Sequence, residues 1–123
     1  MTEPATVDLQ KALPLKPQWF HILLALSQDA QHGSGIVRSV LDQTGGKLRL
    51  WPATLYGSLE ELAQLGWIEE LTRPGERPEG ESEKKRFFRL THAGKQILSA
   101  EAGRLKSLAQ TAFERLASRG PAA

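Results

Sequence analysis

Residues 52–65, Pro-Ala-Thr-Leu-Tyr-Gly-Ser-Leu-Glu-Glu-Leu-Ala-Gln-Leu, closed by Gly66 and followed by Trp67-Ile68-Glu69-Glu70-Leu71, limit the fold more than any other stretch. Pro52 suits the first helical position, where its missing N–H removes no bond, and Gly66 suits the left-handed residue just past a helix end. Leu55, Leu59 and Leu62 fall at i, i+4 and i+7, one apolar stripe bordered by Ser58 and Leu65. The segment reads as a helix with one buried face. The opposite face, with Ala53, Tyr56, Gly57, Glu60 and Gln64, is small and uncharged near its N-terminus and can enter a groove.

The flanking segments give that face a setting. Ser34 reads as the N-cap of a helix running to Gln43, with Ile36, Val37, Val40 and Leu41 inward, Arg38, Ser39, Asp42 and Gln43 outward, and Gly45-Gly46 as its stop. Residues 28–35 read as a connection, and Lys47-Leu48-Arg49-Leu50 alternates like a short edge strand. Residues 67–72 and 84–90 read as strands around a loop too rich in Gly, Pro and Glu to pack. Helix, short link, helix and β-ribbon is the order of a winged helix-turn-helix, whose second helix of the pair lies in the DNA major groove.

Upstream, Pro17 opens a helix in which Trp19, Phe20, Ile22, Leu23, Leu24, Ala25 and Leu26 are apolar nearly all round. A small domain covers one such side, so the other is expected against a second copy of the chain. Residues 1–5 are expected to be disordered, and Thr6 to cap a short helix ending at Leu13, with Leu9 and Leu13 on one side. Downstream, Thr91 caps a helix to about Ser118. Leu98, Ala102, Leu105, Ala109, Ala112 and Leu116 recur along it at heptad spacing, with small residues that permit close approach. At 1.5 Å per residue this helix is roughly 40 Å long, more than one winged-helix body can cover. Its distal half is expected to pair with a second copy; packing back along its own domain is the alternative. The fold class is mainly α (α+β): an N-terminal arm over 1–14, a winged helix-turn-helix over 15–90, a dimerisation helix over 91–118 and a disordered tail over 119–123.

The net charge of +2 is small for a nucleic-acid binder, but the cationic excess lies beyond residue 72. Glu76, Glu79, Glu81 and Glu83 crowd the ribbon loop, while Lys84, Lys85, Arg86 and Arg89 start the returning strand. Phosphate attraction is therefore expected mostly from the wing. With no cysteine, disulfides and thiolate chemistry are excluded, and His21, His32 and His92 lack metal-ligand spacing. Gly33-Ser34-Gly35 is too short for a phosphate loop and has no strand expected before it. No nucleophile-base constellation is present, so neither catalysis nor a cofactor is expected. Lacking an 18-residue apolar run or a signal sequence, the chain is expected to be soluble, cytoplasmic and off the membrane.

His32-Gly33 with Ile36 four residues past His32, Pro52-Ala53-Thr54-Leu55-Tyr56 with Leu59 and Leu62, Leu65-Gly66-Trp67-Ile68, and Lys85-Arg86-Phe87-Phe88-Arg89-Leu90-Thr91-His92-Ala93-Gly94 occur in that order. Together they resemble the PadR family of bacterial transcriptional regulators, in its shorter branch with a single C-terminal helix, over residues 15–116. The resemblance implies a homodimeric winged-helix repressor on double-stranded DNA with an inverted-repeat operator. It also implies that the last helix dimerises and that some members bind aromatic compounds at the dimer interface.

On the residues and the resemblance together, DNA contact is expected from Arg38, Ser39, Thr54, Tyr56, Lys84, Lys85 and Arg86. The dimer interface is expected at Leu23, Leu98, Ala102, Leu105, Ala109, Ala112 and Leu116. A planar aromatic effector would meet Trp19, Phe20, Leu105, Leu108 and Phe113, with Trp51 and Trp67 near the ribbon; a fully packed dimer core without a cavity stays open beside that reading. Three departures from the family pattern stand out. Trp51 stands where a Ser or Thr cap is common and is expected to pack on the ribbon. Ser34 replaces an aromatic, and Glu60-Glu61 replaces frequent basic residues and should repel phosphate. The second reading of the chain is a winged-helix protein-interaction module without DNA binding.

Overall fold

The computed structural model describes residues 9–82 and 84–119. The expectations for residues 1–5, the Thr6 cap and the tail past residue 119 lie outside the described residues. In chain order the elements are α1 (Leu9–Ala12), α2 (Pro17–Ala25), β1 (Gln31–His32), α3 (Gly33–Gln43), α4 (Pro52–Gln64), β2 (Ile68–Glu70), β3 (Phe87–Leu90) and α5 (His92–Arg119).

Helix α4 starts at Pro52 and buries Leu55, Ser58, Leu59 and Leu62. Each leucine so buried contributes about 1.5–3 kcal/mol. Gly66, at φ +78°, reverses the chain, and the Trp67 N–H donates to the Leu62 carbonyl at 3.1 Å. Leu65, about 60° off the stripe's line three residues past Leu62, stands at its border as expected but is exposed.

Helix α3 is capped differently from the expectation. His32, extended at φ −94° and ψ 172°, is the N-cap residue, no side-chain bond caps the helix, and Ser34 lies inside the first turn. The cause is β1, which carries paired backbone straight into the helix. Gln31 pairs with Phe88 and His32 with Phe87, so β1 joins β3 on the edge opposite β2 in an antiparallel sheet of order β1-β3-β2. Two residues have no readable period, so this strand was hidden in an apparent connection. Residues 47–50 form no strand. The Leu48 N–H donates to the Thr44 hydroxyl at 3.0 Å and the Lys47 N–H to the Thr44 carbonyl at 3.2 Å, which ties this irregular stretch to the turn over residues 44–46.

Helix α2 packs against α3 and α4 on one side and against the start of α5 on another. Its apolar girdle is thus satisfied largely within one chain. Leu23 is fully buried in the core, which removes it from the expected dimer interface; only Leu24 of the large apolar residues on α2 is exposed.

Helix α5 is anchored at its start. The Gly94 N–H donates to the Thr91 hydroxyl at 3.1 Å, the helix cap expected at Thr91. That hydroxyl in turn donates to the Gly66 carbonyl, and the Thr91 N–H donates to the Trp67 carbonyl at 3.1 Å. Ile97 is fully buried and Leu98 packs on the core's edge. One turn on, the buried Glu101 carboxylate accepts the Leu15 N–H at 3.1 Å and two Arg104 N–H groups at 2.6 and 3.0 Å, pinning the segment before α2 to α5. From there outward Leu105, Leu108, Phe113 and Leu116 are 39%, 55%, 73% and 72% exposed. No helix among the described residues is long and apolar enough to cross a membrane.

Candidate nucleic-acid interface

The first turn of α4 is the most open part of the helix pair. Trp51, Pro52, Ala53 and Thr54 are exposed, and no side chain caps the first-turn N–H groups. That leaves the positive end of the helix dipole facing outward, a setting suited to an anion. Tyr56, 37% exposed, follows one turn in. Its hydroxyl lies against Gly33 of α3, where a Cβ would come within 2.5 Å of it, so the small residue lets the phenol seat between the two helices.

Between α3 and α4 runs a groove of about 640 Å³ whose walls include Val37 and Leu41 from α3 and Leu50 and Trp51 from the connection. Arg38 and Arg49 supply its charges, and no carboxylate lines it. Arg38, Lys47 and Arg49 have no carboxylate partner among the described residues. Arg38 was expected at the interface from sequence, whereas Lys47 and Arg49 were hidden in the stretch read as a strand. The available signal was a Lys-x-Arg pair directly ahead of α4. Trp51 does not pack on the ribbon; it is 62% exposed beside α4, with the Arg49 guanidinium 4.7 Å from its ring centroid. Ser39 is placed apart from this corner. It is half-buried and accepts a bond at 3.2 Å from Gln43, which also bonds the His21 ring at 2.7 Å and the His21 carbonyl at 3.1 Å, so both α3 residues face α2.

The wing is basic in composition but internally paired. Arg86 makes a two-pronged bond to Glu70 at 3.1 and 3.0 Å, with its guanidinium 5.4 Å from the Tyr56 ring and 5.3 Å from the Phe88 ring. This bond holds the Glu70 carboxyl below its ordinary range and raises Arg86 above its own. Lys85 pairs with Glu81 at 3.3 Å, and Arg89 with Glu69 at 2.6 Å and Glu76 at 3.3 Å. Arg77 closes the loop by donating to the carbonyls of Ser82 and Lys85, over a Phe87 ring on which His32 also stacks. Lys84 is exposed. Of the two glutamates on α4, Glu61 is within 3.8 Å of Lys16, which offsets its repulsion of phosphate, while Glu60 lies in the field of Arg86.

The expected effector residues are divided. Trp19 is half-buried and meets Trp67 edge-to-face at 5.9 Å; Trp67 itself stands at the base of the ribbon, directly before β2, its carbonyl accepting the Thr91 N–H. Phe20 borders a separate hollow of about 330 Å³ with Leu24, Leu98 and Ala102. Leu105, Leu108 and Phe113 are exposed along α5.

Comparison with known proteins agrees with this fold. A protein of transposon Tn4556 from Streptomyces fradiae, described as an uncharacterized 37.1 kDa protein, is 36% identical over 93 residues, 76% of this chain; the chain spans about a quarter of that relative's length. PadR of Bacillus subtilis in complex with operator DNA is similar in fold at a TM-score of 0.57 and 24% identity, covering 70% of this chain and 46% of that one. BpsR of Bordetella bronchiseptica, whose DNA binding is regulated by 6-hydroxynicotinic acid, is similar at a TM-score of 0.60 and 20% identity, covering 85% and 71%. The model of the transcriptional regulator PadR-like family matches residues 22–100. The chain belongs to the PadR-like family of transcriptional regulators, which are not enzymes.

Proposed function

We propose that this regulator is a homodimeric repressor that binds an inverted-repeat operator in double-stranded DNA. The observation that carries the DNA reading is the α3–α4 corner, where Arg38 and Arg49 line a groove free of carboxylates beside the uncapped start of α4. Thr54 and Tyr56 read base edges, and the cations hold phosphates on either side. The wing adds Lys84, Lys85 and Arg86, in a weaker role than their number suggests. Exposed ion pairs contribute less than about 1 kcal/mol, so a phosphate can replace a wing glutamate, but each replacement releases a carboxylate into the same field. That internal pairing is the one observation favouring the second reading, a protein-interaction module without DNA binding.

Dimerisation falls to the distal half of α5, where Leu105, Ala109, Ala112 and Leu116 form an uncovered seam. A small planar aromatic effector would enter between subunits beside Phe20 and Leu105, by analogy with the regulation of BpsR. Such a regulator acts in the cytoplasm, where its DNA is. The DNA reading is tested by fluorescence anisotropy of a labelled duplex across a salt series. Arg38→Ala and Arg49→Ala should each flatten the log-log salt slope by about 0.9 for every phosphate contact removed. A slope equal to that of the unsubstituted chain in both variants would remove the corner from the interface.

A further inference from the structure

We infer that Trp51 is a DNA-contacting residue that helps set sequence preference at the half-site position nearest the start of α4, its indole packing on a thymine methyl beside phosphates held by Arg38 and Arg49. The inference rests on the DNA-binding reading above and deepens it by one residue. An isolated exposed aromatic needs no explanation. Trp51 is not isolated. It occupies the N-cap position of α4 at φ −78° and ψ 155°, where its side chain makes no cap bond, and Pro52 fixes the backbone that follows. The indole is thereby directed by the same turn that presents Thr54. It stands 62% exposed, and Arg49 lies over it at 4.7 Å.

The surroundings select the partner. The indole opens onto an apolar groove with Arg38 and Arg49 as its charges and no carboxylate in its walls, next to the positive end of α4. An apolar plate in a cationic frame complements a polyanion whose charges alternate with apolar surface. The DNA backbone is such a surface, with deoxyribose between phosphates, and the thymine methyl is the apolar feature the major groove adds. The arrangement also gives Arg49 two roles, since a guanidinium stacked on an aromatic face keeps its in-plane N–H groups free for phosphate.

The test titrates the unsubstituted chain, Trp51→Ala and Trp51→Phe with a duplex enriched by the chain from random DNA and with an unselected duplex. Trp51→Ala should weaken binding to the selected duplex about tenfold relative to the unselected one, and Trp51→Phe should recover most of the loss. In parallel, acrylamide should quench an accessible component of tryptophan emission that vanishes in Trp51→Phe and that the selected duplex protects. Because Trp51 is exposed, both variants should keep the unsubstituted thermal midpoint, so a loss is not one of folding. Unchanged affinity and preference in Trp51→Ala, with no protection by DNA, would overturn the inference while leaving the DNA-binding reading intact. Failure of the unsubstituted chain to bind any duplex would overturn both. Protection by 2-naphthoate and not by duplex would assign the groove to a small anionic ligand and overturn the inference as well.

Discussion

At the scale of single residues, the start of α5 depends on one missing methyl group. A Cβ on Gly94 would fall well inside van der Waals contact with the Trp67 carbonyl oxygen, which is backbone already bonded to the Thr91 N–H and unable to swing away. Gly94→Ala should therefore cost about 3 kcal/mol despite the better helix propensity of alanine, read from the urea midpoint. Glu101 is the other anchoring residue. The Arg104 guanidinium first, and the Leu15 N–H with it, hold its carboxyl below the ordinary carboxylate range, against a desolvation that would raise it. A carboxyl with a lowered folded-state pKa stabilises above its unfolded value of about 4.3 and loses that contribution as pH falls through the lowered one. Glu101→Gln should be less stable at pH 7 by about 1–3 kcal/mol, with the gap closing in acid. A constant gap between pH 7 and pH 2.5 in thermal unfolding would show that the charge is not what matters. Thr91 was legible in the sequence as a helix cap; the close approach of Gly94 to Trp67 was not, because it depends on a residue in another element.

At the scale of elements, helices α3 and α4 were legible because their apolar residues repeat with the helical period, and the wing strands because extended runs flank a loop too rich in Gly, Pro and Glu to pack, although the strands themselves, Ile68–Glu70 and Phe87–Leu90, are shorter than expected. What escaped is what periodicity cannot carry. Strand β1 is too short to have a period, and residues 47–50 alternate by coincidence while Thr44 ties them to the turn before them. The wing's cations were visible, but their partners were not, since Glu70 and Arg86 lie sixteen residues apart and meet only across the ribbon. The pairing revises what the wing should do. The triple substitution Lys84→Ala, Lys85→Ala and Arg86→Ala should flatten the salt slope by less than the roughly 2.7 that three phosphate contacts would give, because cations already paired with glutamates neutralise fewer phosphates and so release fewer counterions from the DNA. Glu70→Gln, which frees Arg86, should steepen that slope. Opposite changes in the same salt series would restore the wing as the principal phosphate site.

At the scale of the whole molecule, the chain leaves about half of α5 without cover, and the proposed remedy is a second copy. Leu105→Glu or Leu116→Glu sets a carboxylate in an apolar seam, where an unpaired charge costs several kcal/mol. Monomers should result, visible by light scattering at micromolar concentration. DNA affinity should fall with them, because two half-sites about one helical turn apart must be engaged together. The length of α5 and its heptad seam pointed to this assembly from the sequence. Leu23 pointed to it misleadingly, since an apolar face on α2 says that something covers it and not which chain does. The most direct measurement is sequencing of random duplex fragments enriched by the purified chain. An inverted repeat, with half-site centres about one helical turn apart, is the predicted result; a pool no different from the input, recovered with folded dimeric protein, would contradict it.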